Sequence, residues 1–125
     1  MCCYASKKAK ADLLKSFGRR KTMVMWKQIR LDGGRARFAN YQYGPGVHVA
    51  KTKAGKPWKG RYDACSPRGI HVYCGIPECR CAMVAIPVIV HKGDLICAGW
   101  GQAVFSIIRI TPKAWREAGI KVATS

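Results

Sequence analysis

An α+β fold in a single domain, mainly an antiparallel sheet with an N-terminal and a C-terminal helix, is what the sequence predicts. Three observations predict it. Helical spacing of apolar residues is confined to the two ends of the chain, while the middle alternates apolar and polar residues in short runs. Those runs are bounded by Gly, Pro and Asp-Gly-Gly, the punctuation of hairpins rather than of crossover helices. A length of 125 residues with 49% hydrophobic content is enough for one core and too little for two. Within it the reading separates a basic N-terminal helix or arm, 1–21, from an α+β core, 22–125, that carries a basic loop, 51–61.

The first helix is expected from Ala5 to Phe17, with Ala9, Leu13, Leu14 and Phe17 at helical spacing and Gly18 as its stop. "TMVMWKQIRL" reads as a strand, "LDGGRARF" as a hairpin turn and "ARFANYQY" as the return strand. A short extended piece, "VHVA", precedes the loop, where "KTKAGKPWKG" has too many breakers for an element. In "GIHVYC", alternation sets Ile70, Val72 and Cys74 on one side and His71 and Tyr73 on the other. Pro77 is placed to open a short helix through "PECRCAM". "VAIPVIVH" is a strand that must bend or lie at an edge at Pro87, and "HKGDLI" makes the next turn. "AVFSIIRI" is a strand, and "TPKAWREAG" a helix with Thr111 as cap, Pro112 at its first position and Gly119 as stop.

The formal net charge of +17 repels itself unless an anion offsets it, which points to a polyanionic partner. Residues 1–61 hold 16 Lys and Arg against 2 acids, whereas residues 62–125 hold 7 against 4, so the basicity is gathered in one half. Asymmetry of that kind suits a binding face or arm. No secretory leader is visible at the amino terminus, and seven cysteines, an odd number, fit a reducing compartment; a cytoplasmic protein is expected. The best apolar run, "CAMVAIPVIV", is half a membrane-spanning helix and contains a proline, so no membrane partner is expected.

Three groups of residues carry possible chemistry. Lys51, Lys53, Lys56, Lys59 and Arg61 are interleaved with Trp58 and followed by Tyr62. Cations attract phosphates and an exposed ring stacks on a base, a combination that suits RNA or single-stranded DNA. Arg19, Arg20 and Lys21 add a second basic contact. Equally, such a loop is a solvated lysine face whose tryptophan folds onto the core. Cys65, Cys74, Cys79 and Cys81 supply four soft ligands suited to zinc, although the C-x8-C-x4-C-x-C spacing lacks paired knuckles; Cys74 and Cys97 read as core by their neighbours. His48, His71, Tyr73 and Glu78 form an alternative pocket, with Asp63 the other carboxylate that turns and helices leave unexplained. No nucleophile or phosphate-cradling motif frames them, and no catalytic residue is assigned.

Two resemblances add to this. "YQYGPGVHV", "CSPRGIHVY" and "VIVHKGDLICAGWGQAVFSIIRI", spanning about residues 22 to 111, resemble a group of small uncharacterised phage and prophage proteins. That resemblance implies a viral accessory protein in the host cytoplasm with no assigned chemistry. "GIHVYCGIPECRCA" is similar to a segment of ADP-ribosyltransferase-like folds, which implies Tyr73 stacking on a nicotinamide ring of NAD and Glu78 orienting a ribose hydroxyl. That family's later-strand glutamate has no match here. The expectation is a non-enzymatic, phage-derived protein that binds RNA or another nucleic-acid component of a ribonucleoprotein complex. The alternatives are an anti-defence inhibitor of a host protein and an NAD-using enzyme; no cofactor is expected under the first reading.

Overall fold

Ser6 caps the first helix: its hydroxyl accepts the Ala9 N–H at 2.9 Å, satisfying a donor that the first turn leaves open. The computed structural model describes residues 6–36, 41–51, 69–79, 82–99 and 101–120. Helix α1, Lys7–Phe17, ends at Gly18, whose φ of 58° suits glycine and lets its N–H return to the Lys15 carbonyl at 2.9 Å. Leu13 and Phe17 are buried, and the Phe17 ring meets Phe105 at 6.5 Å between centroids. The helix is tied to the sheet by the Ser6 N–H donating to Ala98 O at 3.0 Å.

Seven strands follow: β1 Thr22–Arg30, β2 Gly46–Val49, β3 Ile70–Tyr73, β4 Met83–His91, β5 Leu95–Gly99, β6 Gln102–Phe105 and β7 Ile107–Ile110. A 3-10 turn, Lys92–Asp94, separates β4 from β5, and helix α2, Pro112–Glu117, is the last element among the described residues. The strands lie in the order β2-β7-β4-β1-β3-β6-β5 with every pair antiparallel, so the α+β class and the mainly antiparallel sheet hold. Only Ser106 separates β6 from β7. The pairings β7 to β4, β4 to β1, β1 to β3 and β3 to β6 therefore return to one continuous segment, and the sheet closes into a ring.

Period-two alternation decides what the ring encloses. On β1, Met25 and Ile29 are buried while Val24 and Arg30 are exposed; on β4, Ile86, Val88 and Val90 are buried. Val72, Phe105, Ile108 and Ile110 complete the inner face, each no more than 1% exposed. At α2, Thr111 caps by accepting the Ala114 N–H at 3.1 Å, and Gly119 has a φ of 70°.

Several sequence expectations are corrected. Of "ARFANYQY", residues 37–40 lie outside the described residues; the described part meets β1 only at the isolated antiparallel bridge Ile29–Ala36, with Arg35–Gln42 bridged beside it, and forms no extended return strand. The long ladder of β1 is on its other flank, where β4 pairs with all nine residues from Thr22–His91 to Arg30–Met83, while the Tyr43 N–H turns back to Gly34 O at 3.1 Å. Pro87 lies in an interior strand. There β7 has already left the other side of β4, having paired only at Ile89 and Val90, so that flank has no ladder for a residue lacking N–H to break.

No helix forms at Pro77–Cys79, because the Glu78 carbonyl accepts from Gln28 Nε2 at 3.0 Å instead of from a following turn. Cys74 is exposed rather than core: β3 ends at Tyr73, and the Cys74 N–H crosses to Gly101 O at 2.9 Å. Cys97 is buried, as its neighbours predicted. "AVFSIIRI" is broken at Ser106, whose N–H donates to Asp94 O at 2.9 Å where the 3-10 turn enters the opposing arm.

Candidate functional site

The basic run after α1 is divided by its chemistry. Arg20 is occupied at the helix end, donating from Nη2 to Ser16 O at 2.9 Å and from Nε to Phe17 O at 3.4 Å, where a cation also meets the negative end of the helix dipole. Arg19 and Lys21 are exposed. Lys92, distant in sequence, joins them: its N–H donates to Lys21 O at 2.8 Å and its Nζ to Gly18 O at 3.2 Å. Sequence reasoning missed Lys92; its place in the "HKGD" turn was the available signal. Lys51 is exposed just after β2. Lys53, Lys56, Trp58, Lys59, Arg61 and Tyr62 lie outside the described residues.

Of the four thiols assigned to a possible zinc site, Cys65 and Cys81 also lie outside the described residues. Cys74 and Cys79 are free thiols, with Cys79 Sγ 3.7 Å from Pro77 O. Partial burial pushes the Cys74 pKa up, which favours thiol over thiolate. Among the described residues no three His, Cys, Asp or Glu side chains converge on a metal position.

The four residues of the alternative pocket fall on different parts of the ring. His71 and Tyr73 stand on β3, both half-buried, with the Tyr73 hydroxyl 3.5 Å from Gln28 Oε1. Glu78 is exposed beyond β3. His48 is on β2, opposite the buried Ile108 of β7, and belongs to a separate aromatic cluster. There its Nε2 lies 2.6 Å from Gly44 O and its Nδ1 2.8 Å from Tyr41 Oη. A proton on Nε2 fits both contacts, with Nε2–H donating to the carbonyl and the Tyr41 hydroxyl donating to Nδ1. The Tyr43 ring meets Tyr41 at 4.7 Å and His48 at 5.0 Å, both edge to face. Together these contacts fasten the Tyr-Gln-Tyr-Gly-Pro-Gly turn to β2.

Beneath Tyr43 lies Lys27, a residue the sequence reading did not single out. Its parity on β1 matches Met25 and Ile29, so it points into the ring. The ammonium is 5.5 Å from the Tyr43 ring centroid and donates to His71 O at 2.7 Å. Strands β1 and β3 register only at Trp26–Tyr73, and the Lys27 bond fills part of the seam where their ladder stops. Gln28 works from the opposite side through its bond to Glu78 O. Burial lowers the Lys27 pKa from 10.5 to about 8 and raises that of Tyr43, with a smaller contribution from Tyr41. Tyr41 is also raised by burial.

A lysine so shifted is a competent base or nucleophile in principle. Its geometry is that of a stitch: a cleft of about 380 Å³ lies against α1, lined by Ser6, Asp12, Cys74 and Gln102, and one of about 260 Å³ lies between α2 and β4, and neither is lined by Lys27 or His48. Exposed cations among the described residues include Arg19, Lys21 and Lys51. Comparison with protein-family models, with curated proteins and with solved structures finds no match to this chain.

Proposed function

We propose that this chain is a small basic protein that binds RNA or another nucleic-acid component of a larger complex, without catalysis of its own. The observation that carries it is the charge: 23 Lys and Arg against 6 Asp and Glu leave at least 17 cations with no carboxylate to neutralise them, however the side chains are arranged. Among the described residues the one ion pair is Lys113–Glu117 at 3.9 Å, and both side chains are exposed. A polyanion relieves that excess and gains from releasing its own counterions. The cytoplasm, where nucleic acid is reached without crossing a membrane, is the proposed compartment; among the described residues no helix is long and apolar enough to cross one. The phage-like motifs suggest that the partner belongs to a host complex.

Purification with nuclease at high salt, followed by titration of labelled single-stranded RNA, single-stranded DNA and duplex DNA at two salt concentrations, tests this reading. Affinity is expected to fall steeply with salt, with a slope of roughly 0.7 per neutralised phosphate for a single strand. A variant with Lys51, Lys53, Lys56, Lys59 and Arg61 changed to Gln is expected to flatten that slope. Weak, salt-insensitive binding to every polymer, with a host protein retained through nuclease treatment, overturns the proposal in favour of a protein inhibitor.

A further inference from the structure

The outward face of β1 differs from an ordinary solvated strand surface. Its residues are Thr22, Val24, Trp26, Gln28 and Arg30, opposite in parity to Met25 and Ile29; of the five, Gln28 is buried, its amide held to the Glu78 carbonyl. Trp26 is flanked by Tyr73 on β3 and by Pro87 on β4, its Cα partners on either side. One step along, Val24 pairs with Ile89, which pairs with Arg109, which pairs with Val47. Val24 is 57% exposed and Val47 52%, high values for valines in a sheet. The face therefore runs across five strands, with rings or apolar groups on β3, β1, β4 and β2, the Arg109 guanidinium on β7 and the Arg30 guanidinium at the end of β1.

Trp26 is half-buried, and no hydrogen bond or ring contact engages its side chain among the described residues. No buried side-chain N or O in that set lacks a partner, so the indole N–H reaches solvent. Among the described residues Tyr73 beside it makes one long contact, 3.5 Å from its hydroxyl to Gln28 Oε1, and no ring contact. The two rings are neighbours without being each other's partners.

Cations bracket this face along the strand. Before it come Lys21, exposed, and Lys92, bonded to it through the backbone at 2.8 Å. After it come Arg30 and Arg35, exposed and joined by an N–H to carbonyl bond of 2.9 Å. Thr22 to Arg30 spans about 26 Å at ~3.3 Å per residue, a length suited to the lower end of the roughly 4–16 nucleotides that a single small barrel accommodates.

We propose that the outward face of β1 with its neighbours β3 and β4 is a stacking platform for single-stranded nucleic acid, Trp26 and Tyr73 taking bases and the bracketing cations taking phosphates. This rests on the nucleic-acid reading above and adds the form of the ligand and a position for it. A duplex keeps its bases stacked on one another and offers no free face to these rings, whereas an unpaired strand does. Repeated phosphates also match cations placed at both ends of the platform better than a single acidic group does.

The test compares the wild-type protein with Trp26→Leu, Tyr73→Leu and Trp26→Phe, using a labelled ten-nucleotide oligouridylate and a duplex of equal length. Leucine keeps apolar bulk on the strand while removing the ring, and circular dichroism checks that each variant is folded. Each leucine variant is expected to weaken oligouridylate binding about tenfold with an unchanged salt slope, Trp26→Phe to recover most of the loss, and the duplex to bind more weakly than the single strand. Wild-type affinity that both folded leucine variants retain, or duplex binding as tight as single-strand binding, overturns the platform while leaving the nucleic-acid reading in place. A wild-type protein that ignores all oligonucleotides at low salt, whether or not it captures an acidic apolar peptide, overturns both.

Discussion

Lys27 was legible in one respect and hidden in another. Its spacing of two from Met25 and Ile29 already put it on the inward face of β1, but the residue type argued for solvent. What the sequence did not contain was the gap between β1 and β3, which makes the His71 carbonyl available to an ammonium. The consequence is a pH dependence of stability with a definite sign. With the folded pKa at about 8 and the ordinary value at 10.5, the unfolded chain holds a proton that the folded chain has lost across that window. Stability therefore rises with pH from about 8 toward 10.5, and below pH 8 the fold carries the charge at a cost of roughly 3 kcal/mol. Tyr43 and Cys74, both raised by burial, act the other way once pH exceeds their ordinary values of 10.0 and 9.0. Lys27→Met abolishes the rise and leaves the later fall. It is expected to gain about 1–2 kcal/mol at pH 7, because loss of the Lys27 bond to the His71 carbonyl offsets part of the relief. Urea midpoints from pH 7 to 10 for both proteins check this, and parallel curves would refute it.

At the scale of elements, both helices were read nearly to the residue, because stops and caps are local: Gly18 for α1, Thr111 and Gly119 for α2; the Ser6 cap of α1, one residue inside the expected start at Ala5, came from the structure. Strand positions were equally local, but strand partners were not. Asp-Gly-Gly announced a hairpin, and the turn exists, yet among the described residues its return meets β1 only at Ile29–Ala36, while the full-length partner of β1 is β4 on the opposite flank. The turn also packs in a way that composition could not disclose. Gly33 and Gly34 both have positive φ, 83° and 69°, but a Cβ on Gly33 meets nothing within 4 Å whereas one on Gly34 would lie 2.8 Å from Trp115 Cζ2. Gly33→Ala is expected to cost about 1 kcal/mol, the backbone strain alone. Gly34→Ala is expected to cost a further ~2 kcal/mol or more through overpacking against α2. Denaturant unfolding of the pair isolates that difference, and equal losses would show that Trp115 yields freely.

For the whole molecule, charge was the most informative quantity in the sequence and the least informative about position. The loop chosen on composition falls almost entirely outside the described residues, while Trp26 and Lys92 emerged only once strands and turns were assembled. The net charge of +17 makes one further prediction that needs no ligand. Screening of self-repulsion should raise the melting temperature as sodium chloride increases from about 20 to 300 mM, since the Debye length shrinks across that range. A soluble polyphosphate should raise it more at the low-salt end and lose that advantage at the high end, as expected for a ligand of the folded state whose binding salt weakens. A melting temperature indifferent to both would mean that the cations are too dispersed to feel one another.

The closed ring of pairings also sets a timetable. β1 ends at Arg30, and β4, its partner along its whole length, begins only at Met83, 53 residues later. At the roughly 5–20 residues per second of protein synthesis, β1 waits about 3–10 s for that strand to be made. During that interval the apolar "MVMW" segment lacks its full-length partner, and the basic half of this sequence is already made and free to meet an anionic surface. An acidic polymer present at that moment, the ribosome's own RNA included, meets the basic half before the ring can close.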